Sequence, residues 1–137
     1  MSYYLDPKSD IEPFECNIHG FLFLMEMLEI FGADMDEATL LNEGAEISEC
    51  SAESWGELLS SRLGDLKVAE ISAVGNVAST IIPMIRGWDE KEVRRWIEEW
   101  YGEGLSIWCV REPGSEELAM VNRYIEFLQN CKGFTQY

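Results

Sequence analysis

The sequence contains little basic charge and very little histidine. Ten Lys and Arg residues stand against 26 Asp and Glu, and His19 is the single histidine among 137 residues. A structural zinc site takes four ligands, so the pair Cys16 and His19 would need two more, and the four cysteines include no C-x-x-C pair. A nucleophilic cysteine needs a basic partner. We therefore expect no metal, no cofactor and no catalytic residue.

The chain also lacks catalytic motifs and a long hydrophobic run. It contains no G-x-S-x-G, Walker loop, G-x-G-x-x-G or H-E-x-x-H. A membrane-spanning helix takes about 20 apolar residues, and Glu26 and Glu29 interrupt the longest apolar stretch. The N-terminus has no basic region followed by an apolar one, as a signal peptide would. These absences predict a non-enzymatic, cytoplasmic protein without membrane contact.

The most apolar stretch lies between Gly20 and Gly32. Nine of its eleven residues are apolar, and Leu, Met and Glu favour helix. Gly32 can end such a helix in the left-handed conformation. We predict a buried helix from about residue 18 to 31, capped by Asn17, around which the other segments pack.

Shorter helices are predicted along the rest of the chain. Capping boxes that begin at Asp34 and Asp89 predict one helix to about residue 42 and another that ends before Gly102. Ser51 or Ser54 would cap a helix to about residue 63, and Ser115 a last one to about residue 131.

Strand signals are weaker. Residues 66–71 show a weak alternation, with Leu66 and Val68 on one face, and predict one strand. Residues 105–110 are short and rich in β-forming residues and predict a second strand. Residues 77–85 are ambiguous, because the spacing of Ile81, Ile82 and Ile85 suits a helix face, whereas β-branching and Pro83 suit an edge strand or a kink. We favour a short helix there. The chain is long enough for one domain, so we predict a single acidic domain over residues 1–137, with residues 1–16 as an extended N-terminal arm. The expected class is α+β, mostly helical around the buried helix, with a small sheet of two or more short strands.

Acidic residues are concentrated in the first half. Between Lys8 and Arg62 thirteen carboxylates occur without a single Lys or Arg. Disorder does not explain this excess, because hydrophobic residues make up 47% of the chain. The first half of the protein should therefore carry a strongly negative surface.

A carboxylate-rich surface resembles a polyanion and can be drawn to a basic groove on another protein. Nuclease immunity, antirestriction and anti-CRISPR proteins are similar in size and charge. We predict a binding protein that inhibits a basic partner, such as a nuclease or other nucleic-acid-binding protein, without binding nucleic acid itself. The alternative is that the acids only keep the protein soluble. The predicted partner-binding residues are Asp34, Asp36, Glu37, Glu43, Glu46, Glu49, Glu53 and Glu57.

Five tryptophans form a second unusual feature, and four of them lie within residues 88–108 among several arginines. The simpler interpretation is a tryptophan-lined core. Trp and Arg also dominate binding hot spots, so a ligand pocket of a small enzyme or binding module, or a face that packs on another subunit, are the alternatives. The secondary interface candidates are Trp88, Arg94, Arg95 and Trp108.

Overall fold

The structure is a computed structural model that describes residues 2–34, 44–73, 76–84 and 89–137, and at residues 2, 17–19, 73, 76, 100 and 108 it describes the backbone alone. Within these ranges the chain forms seven strands and four α-helices. In chain order they are β1 (Ser2–Pro7), β2 (Phe14–Asn17), α1 (Ile18–Ile30), β3 (Glu46–Ile47), α2 (Glu49–Ser61), β4 (Leu66–Ala73), β5 (Asn76–Pro83), α3 (Glu90–Tyr101), β6 (Ser106–Arg111), α4 (Ser115–Asn130) and β7 (Phe134–Gln136).

The chain divides into two compact units. Unit 1 comprises Met1–Arg62 and Ala119–Tyr137, and unit 2 comprises Leu63–Leu118. Each unit contains one antiparallel sheet. The single domain over residues 1–137 stays a prediction.

The sheet of unit 1 has the strand order β2-β1-β7-β3. The segment predicted as an extended arm contains β1 and β2, which pair with each other with Tyr3 opposite Cys16. The C-terminal strand β7 lies between β1 and β3, with Ile47 opposite Phe134, and all three residues of β7 are buried. Both ends of the chain therefore meet in one sheet.

Helix α1 occupies the range predicted for it and has many buried side chains. Tyr3 of β1 stacks on Phe21 with ring centroids 4.3 Å apart. Asn17, the predicted cap, is the last residue of β2. That the other segments pack around this helix stays a prediction. The buried side chains of α1 are Phe21, Leu24, Met25, Met27 and Leu28.

Unit 2 has a three-stranded sheet with β4 between β5 and β6. The register of β4 with β6 shifts between Glu70 and Ile71, which leaves Trp108 as the extra residue of a bulge in β6. Helix α3 begins after Asp89, whose carboxylate accepts a hydrogen bond of 3.0 Å from the Glu92 amide. This confirms the predicted N-cap.

The α+β class is confirmed, whereas the narrower description as mostly helical is not supported, because strands form a large part of both units. The short helix favoured for residues 77–85 is wrong, because residues 77–83 belong to β5. Its β-branched residues suit a strand, and Pro83 is the last residue of an edge strand, where a missing N–H is tolerated.

Two predicted helix starts are also wrong in detail. Ser48, and not Ser51 or Ser54, caps α2, since its hydroxyl accepts a hydrogen bond from the Ser51 amide at 3.2 Å. Ser115 is the first residue of α4, and the Glu117 carboxylate reaches back to accept from the Gly114 amide at 2.9 Å. The helix predicted from Asp34 to residue 42 lies mostly outside the described residues.

Candidate acidic interface

Three carboxylates lie in one row along α2, and we call Glu49, Glu53 and Glu57 the α2 acidic row. They are four residues apart, so they lie on one side of the helix at intervals of about 6 Å. All three are exposed. The buried side of the helix carries Ala52, Trp55, Gly56 and Leu59. The amphipathic pattern of α2 therefore places the row toward solvent.

Two contacts fix the rotation of α2. The Trp55 indole donates a hydrogen bond of 3.0 Å to the carbonyl of Asp34. Gly56 lies so close to α4 that a Cβ atom there would be 2.9 Å from Cγ of Gln129 and 3.3 Å from Cβ of Leu128. Helix α2 cannot turn its acidic row inward without losing both of these contacts.

Unit 1 has too few bases to neutralise its acids, with fifteen Asp and Glu against four Lys and Arg. Lys132 lies 3.9 Å from the Glu49 carboxylate. Lys8 lies 3.1 Å from Glu46 and also donates to the Thr135 hydroxyl. Arg62 and Arg123 lie over the rings of Phe31 and Phe14. In the part of the chain that the structure describes, no base pairs with Glu53 or Glu57.

The structure thus places five of the eight predicted partner-binding residues, and all five are exposed. Glu49, Glu53 and Glu57 share one helix face, while Glu46 lies on β3 and Asp34 follows α1. Asp36, Glu37 and Glu43 lie outside the described residues. A single patch formed by all eight stays a prediction.

Of the four secondary interface candidates, the structure describes the side chains of Arg94 and Arg95, and a surface formed by all four stays a prediction. Arg94 donates a hydrogen bond of 3.0 Å to the Leu105 carbonyl, which ties α3 to the start of β6. Arg95 is exposed and lies 3.7 Å from Glu92. Trp88 and the side chain of Trp108 lie outside the part of the chain that the structure describes. Trp96 is buried, which agrees with a core role for at least part of the tryptophan cluster.

A polar network on the sheet of unit 2 was missed at the sequence level. The Arg111 guanidinium donates to both oxygens of Glu117, at 2.8 and 2.9 Å, and to Glu70 at 3.1 Å. The thiol of Cys109 donates to the other oxygen of Glu70 at 3.4 Å. Glu70 lies opposite Cys109 across the β4–β6 pair. Only the strand register brings these residues together, so their spacing in the chain gave no signal.

The hydrogen bonds of this network shift the pKa values of its carboxyl and thiol groups. Hydrogen bonds from Arg111, and then from Cys109, hold the pKa of Glu70 below its usual range. Arg111 and the Gly114 amide likewise lower the pKa of Glu117. The bond to Glu70 raises the pKa of the Cys109 thiol. The hydrogen bonds of this network link β4 and β6 to the start of α4.

The remaining polar features are modest. Burial raises the pKa of Cys16 to about 11, against a smaller opposing effect of Arg123. A cleft of about 450 Å³ lies between the residues that precede β2 and helix α4, lined among others by Ile11, Pro13 and Phe127.

Among the described residues, no group of His, Cys, Asp and Glu could hold a metal ion, and no helix has the length and apolar character needed to cross a membrane.

Comparison with models of protein families, with curated proteins and with solved structures gave no match.

Proposed function

We propose that the protein is a non-enzymatic, cytoplasmic binding protein that inhibits a basic, nucleic-acid-handling partner through the acidic surface of unit 1. The α2 acidic row is the part of this surface that the fold defines best. One observation carries the proposal: Glu53 and Glu57 are exposed on a helix whose rotation is fixed, and no base among the described residues pairs with them.

The energetics of exposed carboxylates favour the binding of a basic partner. An exposed carboxylate without a partner has paid no desolvation cost and can exchange its water for a Lys or Arg of a partner. A row of like charges on a rigid helix also contributes a fixed negative field, and this speeds association with a basic surface. A carboxylate surface can thereby occupy a groove that otherwise binds phosphates.

If the acids serve only solubility, the net charge of the protein matters and the positions of the individual carboxylates do not. Two charge-reversal variants distinguish this alternative from the binding proposal. In E53K/E57K two acids of the α2 acidic row change sign, and in E99K/E103K two exposed acids of unit 2 change sign. Both variants change the net charge by the same amount. Lys and Glu have similar helix propensity, so both helices should persist.

The experiment is affinity capture from a lysate of the natural host with the wild-type protein and both variants, with bound proteins eluted by salt and identified by mass spectrometry. We expect a nucleic-acid-binding protein retained by the wild type and by E99K/E103K. For E53K/E57K the affinity of this purified partner should fall about tenfold or more, which corresponds to about 1.4 kcal/mol. The partner's binding to DNA or RNA should then decrease when the wild-type protein is added. An equal loss of affinity for the partner in both variants would indicate that the acidic residues serve solubility.

A further inference from the structure

The β4–β5 hairpin contains the longest stretch of the chain without a charged residue. Residues 71–85 include no Asp, Glu, Lys or Arg, although such residues make up 26% of the sequence. Charged residues usually make up about a quarter to a third of a protein surface. A run of fifteen uncharged residues would be expected to lie mostly in a core. Part of β5, however, is exposed.

Half of β5 is accessible to solvent. Val77 is 72% exposed, Ala78 and Ser79 are exposed, and only the far end at Ile82 and Pro83 is buried. The strand lies at the edge of its sheet. In the residues that the structure describes, β5 makes no backbone hydrogen bond except those to β4. The N–H and C=O groups along its outer side are therefore available to another strand.

The opposite edge of the same sheet is protected in the usual ways. The bulge at Trp108 disturbs the regular hydrogen-bonding pattern of β6, and Arg111 carries a charge that is engaged with Glu70 and Glu117. Charges and bulges are the devices by which edge strands avoid pairing. The eight residues of β5 pair with β4 without a register shift, and no residue of β5 is charged.

We propose that β5 is a dimerisation edge, which pairs antiparallel with β5 of a second copy over Val77–Thr80 and makes one continuous sheet from the two copies. Antiparallel pairing of a strand with itself has two-fold symmetry, as the commonest dimers do. A second copy offers the same uncharged edge of equal length, so the two edges match each other. Two chains of net charge −16 repel each other, and this repulsion is weakest where the exposed residues carry no charge, as at Val77, Ala78 and Ser79.

The test uses the full chain with a reductant, because Cys50 and Cys109 are exposed thiols. Sedimentation equilibrium at low and high salt gives the dimer dissociation constant. The edge variant is V77K/S79K, which would place four ammonium groups on neighbouring strands of the dimer. The matched control is S54K/S60K, which adds the same two charges at exposed positions of α2. Circular dichroism of each variant checks its fold.

We expect a wild-type dimer that becomes tighter at high salt, because salt screens the repulsion between the acidic chains. The dissociation constant should rise at least about tenfold in V77K/S79K, since like charges on paired strands are unfavourable, and change less than about twofold in the control. Both variants reduce the net negative charge, so general repulsion cannot explain a loss. A monomer at every concentration, assembly beyond a dimer, or an unchanged dimer in V77K/S79K would each overturn the proposal.

Discussion

Alanine in place of Gly133 should disturb the contact between β7 and the start of α2. Gly133 precedes β7 and has a φ of 91°, a region that favours glycine. A Cβ atom there would lie 2.8 Å from the carbonyl oxygen of Ile47 and 3.1 Å from the amide nitrogen of Glu49. Both neighbours are backbone atoms, so they cannot move aside unless β3 and the first turn of α2 move with them.

The expected loss of stability has two parts. A positive φ costs an alanine about 1–2 kcal/mol, and a methyl group forced into a packed site costs about 1–3 kcal/mol. The alanine also restricts the unfolded chain, which returns about 0.4–1 kcal/mol. The free energy of unfolding should therefore fall by about 2–4 kcal/mol. Gly32 is the matched control, because it has the same φ of 91° but nothing within 4 Å of its added Cβ. For G32A we expect a loss of only about 1 kcal/mol.

Urea unfolding followed by circular dichroism measures the loss of stability in G133A and in G32A. Amide hydrogen exchange at Ile47 and Phe134 adds a local measurement, because these residues pair in unit 1 and report on that unit alone. In G133A their protection should fall further than in G32A. Equal losses of stability in the two variants would show that the close approach of Gly133 to β3 and the start of α2 is wrong.

Two further predictions concern other parts of the molecule. The lowered pKa values of Glu70 and Glu117 mean that their pairing with Arg111 stabilises the fold above the unfolded carboxyl pKa of about 4.3 and is lost as the pH falls through the folded values. The difference in urea midpoint between wild type and R111M should therefore be greater at pH 7 than at acidic pH; a difference independent of pH would contradict this. W55F should lower the free energy of unfolding by about 1–3 kcal/mol, because it removes the hydrogen bond to the Asp34 carbonyl and leaves a small cavity, and an unchanged value would contradict that contact.

Local signals predicted the features that depend on neighbouring residues. The Asp89 cap depends on an amide three residues away, and the apolar run at residues 21–31 dictates a helix through its composition. The boundaries of α1 were therefore predicted well. Ser48 was missed as the cap of α2 because several serines lie near one another, and the choice among them depends on where β3 ends.

The strand β5 shows why local signals fail where packing decides. Its β-branched residues and Pro83 are compatible with a kinked helix or an edge strand, and antiparallel pairing with eight residues of β4 decides between the two. The polar network of Arg111 has the same origin. Glu70 lies about forty residues earlier in the chain, and only the register between β4 and β6 brings the two side chains together.

The sequence by itself determined the α+β class, the position of the first helix and the acidic character of the first half, because composition and short-range periodicity decide these properties. The tertiary structure alone decided which carboxylates share a face and which strand is left at an edge. Glu53 and Glu57 point outward because Trp55 and Gly56 hold the opposite side of α2. The pairing of both chain ends in one sheet, and the free edge of β5, follow from contacts between residues far apart in sequence, which no local pattern encodes.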